Sequence, residues 1–259
     1  METPTRTSIF DDLGLKPVIN ALGNWTMLGG SSTSPRLLAA MAAAGRYYVD
    51  MEELLDKSGR LIAGLVGAEA AYVTPGAAAA LALGAAACMT GGDLTKMARL
   101  PDTTGMKSEI LIQKRQRYKY DRATTVFGAR LLEVGDHSGT TPHQLDAAVG
   151  SSTAAILWWP AAQDGVVSLE DTVRICKAHG VPVLVDAAGE VYPVERMRSF
   201  PATGADLIAY AAKYFGAPNA SGFLAGKRDL VEAAAAQGFF AFEHGHHAAI
   251  ADRSSSIAR

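Results

Sequence analysis

Leu207-Ile208-Ala209-Tyr210 runs directly into Ala211-Ala212-Lys213-Tyr214-Phe215-Gly216-Ala217-Pro218-Asn219-Ala220-Ser221-Gly222. Upstream, Val183-Leu184-Val185-Asp186-Ala187-Ala188-Gly189 has the same form, an apolar run closed by a functional side chain and a small-residue turn. Short apolar runs bounded by Gly and Pro predict strands buried on both faces, which is the pattern of a parallel sheet covered by helices. Asp186 and Lys213 then stand at the carboxyl ends of two such strands, with one connection between them. Open α/β sheets bind their ligands at that edge.

Outward from this pair the alternation continues. Residues 71–74, 110–113, 131–134, 155–159 and 222–225 add strand candidates, so the reading is an α/β fold. It has a mostly parallel seven-stranded sheet with helices on both faces. Helices are predicted at 77–89, 120–127, 142–149 and 169–178, the last ending at Gly180. Nearer the start, Ser34 and Pro35 form an N-cap and first-turn signal. Asp50 and Glu53 resemble a capping box for a helix that stops at Gly67. Residues 1–50 read as an arm and first helix, 51–240 as the large domain, and 241–259 as a divergent, flexible tail.

The chain has 259 residues, 49% of them hydrophobic and 19% charged, with a net charge of −2. That is enough to bury a sizeable core, and the charge gives no general attraction to nucleic acid or anionic membrane. No apolar stretch reaches the roughly 20 residues a transmembrane helix needs. Cys88 and Cys176 form no metal-ligand spacing, and His244, His246 and His247 read as tail residues, so no metal site is expected. With no leader-like N-terminus, the expected compartment is the cytoplasm.

Three segments converge on the predicted ligand edge. Thr74-Pro75-Gly76-Ala77-Ala78 hands a strand over to a helix, where free amides and the helix dipole suit a phosphate, although close helix packing also calls for small residues there. Asp186 is a carboxylate at a buried strand end that needs a partner, either a cationic ring N–H or the following turn. Lys213 is alone among nine lysines in following a buried-type strand with small, apolar neighbours. A desolvated amine is expected there in preference to a surface lysine. Together an amine, a carboxylate and a phosphate cradle meet the needs of pyridoxal 5′-phosphate (PLP).

These residues carry a resemblance. Pro17-Val18-Ile19-Asn20-Ala21-Leu22-Gly23, the stretch from Glu52-Glu53-Leu54 to Gly67-Ala68-Glu69, Thr74 to Ala79, Tyr120-Asp121-Arg122-Ala123, Asp186-Ala187-Ala188 and Lys213 to Gly222 look like the fold-type-I PLP enzymes. Within them the chain resembles the selenocysteine-synthase and D-glucosaminate-6-phosphate ammonia-lyase group. The resemblance implies that Lys213 is the Schiff-base residue and proton shuttle, and that Asp186 pairs with the pyridine nitrogen. Gly76, Ala77 and Ala78 would hold the phosphate, with Asn219 and Ser221 near phosphate or substrate. It also implies a small-molecule amino-acid or amino-sugar substrate and a homo-oligomer with shared sites.

The sequence departs from the group in places. A hydroxyl residue expected just before the lysine is replaced by Ala211 and Ala212. The ring-stacking residue falls at Gln116, with Tyr118 as the aromatic alternative. Lys114, Arg115 and Arg117 are either a phosphate- or carboxylate-binding cluster or a solvated face. The small C-terminal domain of the group is expected to be largely missing. The function expected is a PLP-dependent lyase or transferase working through Cα deprotonation with loss of a β-substituent or ammonia. A transferase on charged tRNA, with tRNA as a less favoured partner, an aminotransferase and a non-catalytic PLP-binding remnant are the alternatives.

Overall fold

A computed structural model describes residues 9–160, 164–238 and 241. In chain order the elements are α1 (Pro35–Ala44), α2 (Met51–Val66), β1 (Ala70–Thr74), α3 (Ala77–Thr90), α4 (Leu94–Arg99), β2 (Glu109–Gln113) and β3 (Arg130–Val134). They continue with α5 (Pro142–Ala148), β4 (Thr153–Trp158), α6 (Leu169–His179), β5 (Val183–Asp186), α7 (Glu195–Ala202), β6 (Leu207–Ala211), β7 (Gly222–Gly226) and α8 (Arg228–Ala236).

The seven strands form one sheet in the order β1-β7-β6-β5-β4-β2-β3. Only β7 runs against its neighbours, pairing antiparallel with both β1 and β6. The parallel strands therefore deliver all their carboxyl ends to one edge. Alternate side chains sort the core into two layers. Leu111, Ile156, Val183, Val185, Ile208 and Tyr210 pack with α6 and α7 residues such as Ile175 and Phe200 on one face. Ile110, Ile112, Leu157, Leu184, Leu207 and Leu224 pack under α3 and α8 on the other. The expected seven-stranded, two-face architecture is the one observed.

Local signals explain most helix ends. The Ser34 hydroxyl accepts from the Leu37 amide, with Pro35 in the first turn. Asp50 accepts from the Glu53 amide at 3.0 Å, but Glu53 turns to Lys57, so only half of the expected box forms. A full capping box appears instead at Thr141 and Gln144. The helix expected at 120–127 is a short 3-10 segment, Asp121–Thr125, because the Thr124 and Thr125 hydroxyls bond back to the Asp121 and Arg122 carbonyls. No helix of the described residues is long and apolar enough to cross a membrane. Residues 242–259 of the expected tail, with its histidines, lie outside the described residues.

Candidate active site

Asp186 is the last residue of β5 and pairs in register with Ala209 of β6. Backbone bonds carry the pairing past the strand end, with Ala187 N–H to Ala209 O at 3.0 Å and Ala211 N–H to Ala188 O at 3.3 Å. The two chains are thus held side by side until β6 turns into the one-turn 3-10 segment Ala212–Phe215, which contains Lys213. Gly216 closes that turn at φ 78°. Asp186 and Lys213 leave adjacent parallel strands at the same edge of the sheet.

Asp186 is 4% exposed. Burial pushes its carboxyl upward, opposed by hydrogen bonds from the Tyr118 hydroxyl to Oδ2 and from the Ala188 amide to Oδ1 at 3.1 Å. Tyr118 arrives from the segment after β2. Its ring lies flat on Trp159, with centroids 4.6 Å apart and planes 7° apart. Its amide donates to Asp121 Oδ2 at 3.1 Å. Burial, with the charge of Asp186, pushes the Tyr118 phenol far up, so it stays a donor. Tyr214 approaches from the lysine turn, and its phenol is raised by burial and by the nearby Tyr120 and Asp186.

Lys213 is only partly buried, which corrects the expected desolvated amine. Its Nζ donates to Thr26 Oγ1 at 2.6 Å and lies 5.2 Å from the Tyr214 ring centre, so polar and π contacts replace an apolar sleeve. Thr26 belongs to an arm that clasps the whole turn. Asn24 Nδ2 donates to Lys213 O at 2.9 Å, the Ser31 hydroxyl donates to Ala217 O, and Gly30 sits against the Asn219 side chain. Sequence reasoning took this arm as irregular chain. Its only sequence signal is a cluster of hydroxyl and amide residues between glycines.

At the same edge, Gly76 caps α3 at φ 99° without any side-chain cap, so the first-turn amides of Ala77 and Ala78 have no side-chain acceptor. Gly222, where β7 begins, presses on this corner. A Cβ there would lie 2.8 Å from the Gly76 carbonyl carbon and 2.9 Å from the Ala77 nitrogen. Ser221 closes the lysine loop, its hydroxyl donating to Pro218 O at 2.5 Å.

Other candidates are placed differently. Gln116 is fully buried, with its amide donating to Trp159 O at 2.6 Å and its carbonyl accepting from Gln113 at 3.2 Å. It is a brace inside the fold and offers no face for ring stacking. Tyr118 stacks on Trp159, which lies one residue past the end of β4. The basic cluster is largely neutralised: Lys114 and Arg117 both pair with Glu133, and Arg117 also pairs with Asp121. Glu190, four residues after Asp186, pairs with Arg196 at 2.9 Å.

The donor set fits PLP. An uncapped 14-residue helix end suits a phosphate, a buried carboxylate with lone pairs to spare suits a ring N–H, and an amine stands one strand away.

No family model matches the chain. Over 238 residues it is 37% identical to D-glucosaminate-6-phosphate ammonia lyase of Salmonella typhimurium, covering 89% of this chain and 63% of that protein. It is 39% identical over 245 residues to a Streptomyces 5'-C-glycyluridine monooxygenase-decarboxylase, covering 91% and 60%. An L-seryl-tRNA(Sec) selenium transferase of Moorella thermoacetica is 30% identical over 249 residues, covering 85% and 50%. The chain thus spans between half and two thirds of the curated relatives it matches. A solved D-glucosaminate-6-phosphate ammonia-lyase superposes with a TM-score of 0.84 at 37% identity, over 89% of this chain and 63% of that one. The fold is also shared with the pyridoxal-5'-phosphate-dependent protein YhfS of Escherichia coli, with a TM-score of 0.54 at 20% identity over 70% of this chain and 46% of that one.

Proposed function

We propose that the chain, 37% identical to D-glucosaminate-6-phosphate ammonia lyase and 30% to a selenium transferase, is a fold-type-I PLP enzyme of that group, and that it binds PLP and catalyses lyase chemistry on an amino acid or amino-sugar acid. The observation that carries this is the placement of Asp186 and Lys213 at adjacent, in-register strand ends beside the bare N-terminus of α3. When bound, PLP supplies an electron sink for bonds to the amino-bearing carbon.

The chain's own residues do the rest. The Lys213 amine would attach the cofactor's aldehyde carbon and would be the base that moves the proton at the substrate Cα. Thr26 holds Nζ at 2.6 Å, and Asn24 fixes the backbone beneath it, so the amine starts from a defined place. Asp186, as a carboxylate, would accept the ring N–H and keep that nitrogen protonated. The Gly76, Ala77 and Ala78 corner holds the phosphate through amides and the helix dipole. Asn219 and Ser221, on the loop after the lysine, would lie near the phosphate or substrate.

Residues 51–240 form the cofactor-binding unit in this reading, and residues 1–50 supply the clasp over the lysine turn. A homo-oligomer is supported by the exposed apolar side chains of the arm, among them Leu13, Val18, Ile19 and Met27. A cytoplasmic setting accords with the two free cysteines. The lower identity to the selenium transferase ranks transfer on charged tRNA second.

Titration of the purified protein with PLP tests the reading. Uptake of a visible-absorbing cofactor that survives desalting, followed by release of ammonia and a keto acid from a panel of amino acids and amino-sugar acids, is expected. Carbon dioxide release instead would move the reaction to the decarboxylase branch. Uptake without turnover would favour the non-catalytic remnant, and no uptake at all would remove PLP from the account.

A further inference from the structure

We propose that Tyr118 is a positioning residue that holds the Asp186 carboxylate ready for the cofactor's ring nitrogen, with Trp159 as the shelf that fixes it. This deepens the PLP reading and rests on it.

Both carboxylate oxygens of Asp186 are held before any ligand arrives. Oδ1 accepts from the Ala188 amide at 3.1 Å and Oδ2 from the Tyr118 hydroxyl. A carboxylate pinned at both ends has a fixed plane, and its remaining lone pairs point one way. Tyr118 is itself held twice, by the flat stack on Trp159 and by its amide on Asp121 Oδ2. Asp121 is 4% exposed and held in turn by Arg117 at 2.5 Å. The support therefore runs from the ends of β2 and β4 into the end of β5, three neighbouring strands of the sheet.

The arrangement also resolves an electrostatic conflict. Burial favours the neutral acid at Asp186, whereas a ring N–H needs the anion. A donor that ionises far above neutrality stabilises the anion without adding charge, and the Tyr118 phenol is such a donor. Among the described residues, the titratable groups that interact with Asp186 are Tyr118 from the segment after β2 and Tyr214 from the turn after β6, with Asp121 and Tyr120 behind them. None of the four adds a positive charge at neutral pH. Ionisation of Asp186 therefore depends on the two hydrogen bonds.

The test is the PLP affinity of the full chain, measured by absorbance titration from pH 5 to 8, for wild type and Tyr118→Phe. Affinity is expected to rise with pH as Asp186 ionises. Without the hydroxyl that rise should move upward by about one pH unit, the equivalent of one hydrogen bond to a charged group. The PLP phosphate titrates alike with both proteins, so the displacement between curves is the signal. Trp159→Ala, which keeps the hydroxyl but removes its shelf, should displace the curve in the same direction and serves if Tyr118→Phe fails to fold. Superimposable curves for proteins that all bind PLP would overturn the role of Tyr118 while leaving the cofactor reading intact. Wild type that takes up no PLP would overturn both.

Discussion

The Tyr118 hydroxyl donates to Oδ2 of Asp186, joining the segment after β2 to the end of β5 across the intervening strand β4. Neither residue makes sense alone. Asp186 is an acid in a place that disfavours charge, and Tyr118 is a phenol whose own ionisation burial and then the acid suppress. Their contact opposes the effect of burial on the acid at the ligand edge of the sheet.

Lys213→Ala should leave the fold intact, since the side chain is partly exposed and its one hydrogen bond runs to Thr26 at the surface. It should abolish retention of PLP after borohydride reduction and denaturation, read as the loss of the cofactor's mass from the protein. Turnover should fall at least about a hundredfold through loss of the proton-moving group. A covalent adduct that persists in the variant would place the attachment elsewhere.

Asp186→Asn should stabilise the cofactor-free protein at neutral pH. The carboxyl ionises above its ordinary value of 3.8 when folded, so the folded state holds its proton more tightly than the unfolded state. That contribution is fully present below about pH 4 and is lost as pH rises through the folded value. The asparagine variant lacks this loss. Urea denaturation should therefore show its advantage growing from pH 4 to pH 7, together with weakened PLP binding. A variant advantage that shrinks with rising pH would reverse the sign argued here.

Thr172→Val should be neutral or stabilising by roughly 1 kcal/mol. The Thr172 hydroxyl is fully buried on α6 and has no hydrogen-bond partner among the described residues, and valine keeps the shape while removing the orphaned donor. Midpoints in chemical denaturation check this. A loss above about 1 kcal/mol would reveal a bond the hydroxyl makes to water.

Gly222→Ala should disturb the phosphate corner selectively. The added methyl meets Tyr210 O at 2.5 Å and the Gly76 and Ala77 backbone within 2.9 Å, none of which can move without shifting β6 or the start of α3. Destabilisation of about 1–3 kcal/mol is expected from overpacking. The variant should also lose preference for PLP over pyridoxal, which lacks the phosphate. An unchanged preference would detach this corner from phosphate binding.

Much of the architecture could be read from local pattern. The apolar runs ending in Asp186 and at Tyr210 became β5 and β6, and the Ser34, Pro35, Gly67 and Gly180 signals mark real helix ends. The short helices α4 and α7 escaped notice because neither carries a strong apolar period, and α7 contains Pro201. Gln116 and Tyr118 enter the sequence reading through the group's ring-stacking position, and position along the chain says nothing of which way a side chain turns after a 3-10 bend.

What the sequence by itself determined was the alternation of elements and the delivery of Asp186, Lys213 and Gly76 to strand ends. Those depend on near-neighbour chemistry, the burial of apolar runs and the backbone freedom of glycine. The tertiary structure alone decided that Thr26 and Asn24 hold the lysine turn 187 and 189 residues away along the chain. It likewise decided that Tyr118 faces Asp186 with Trp159 beneath it. Contacts across such separations are set by sheet order and packing, which no local pattern of residues encodes.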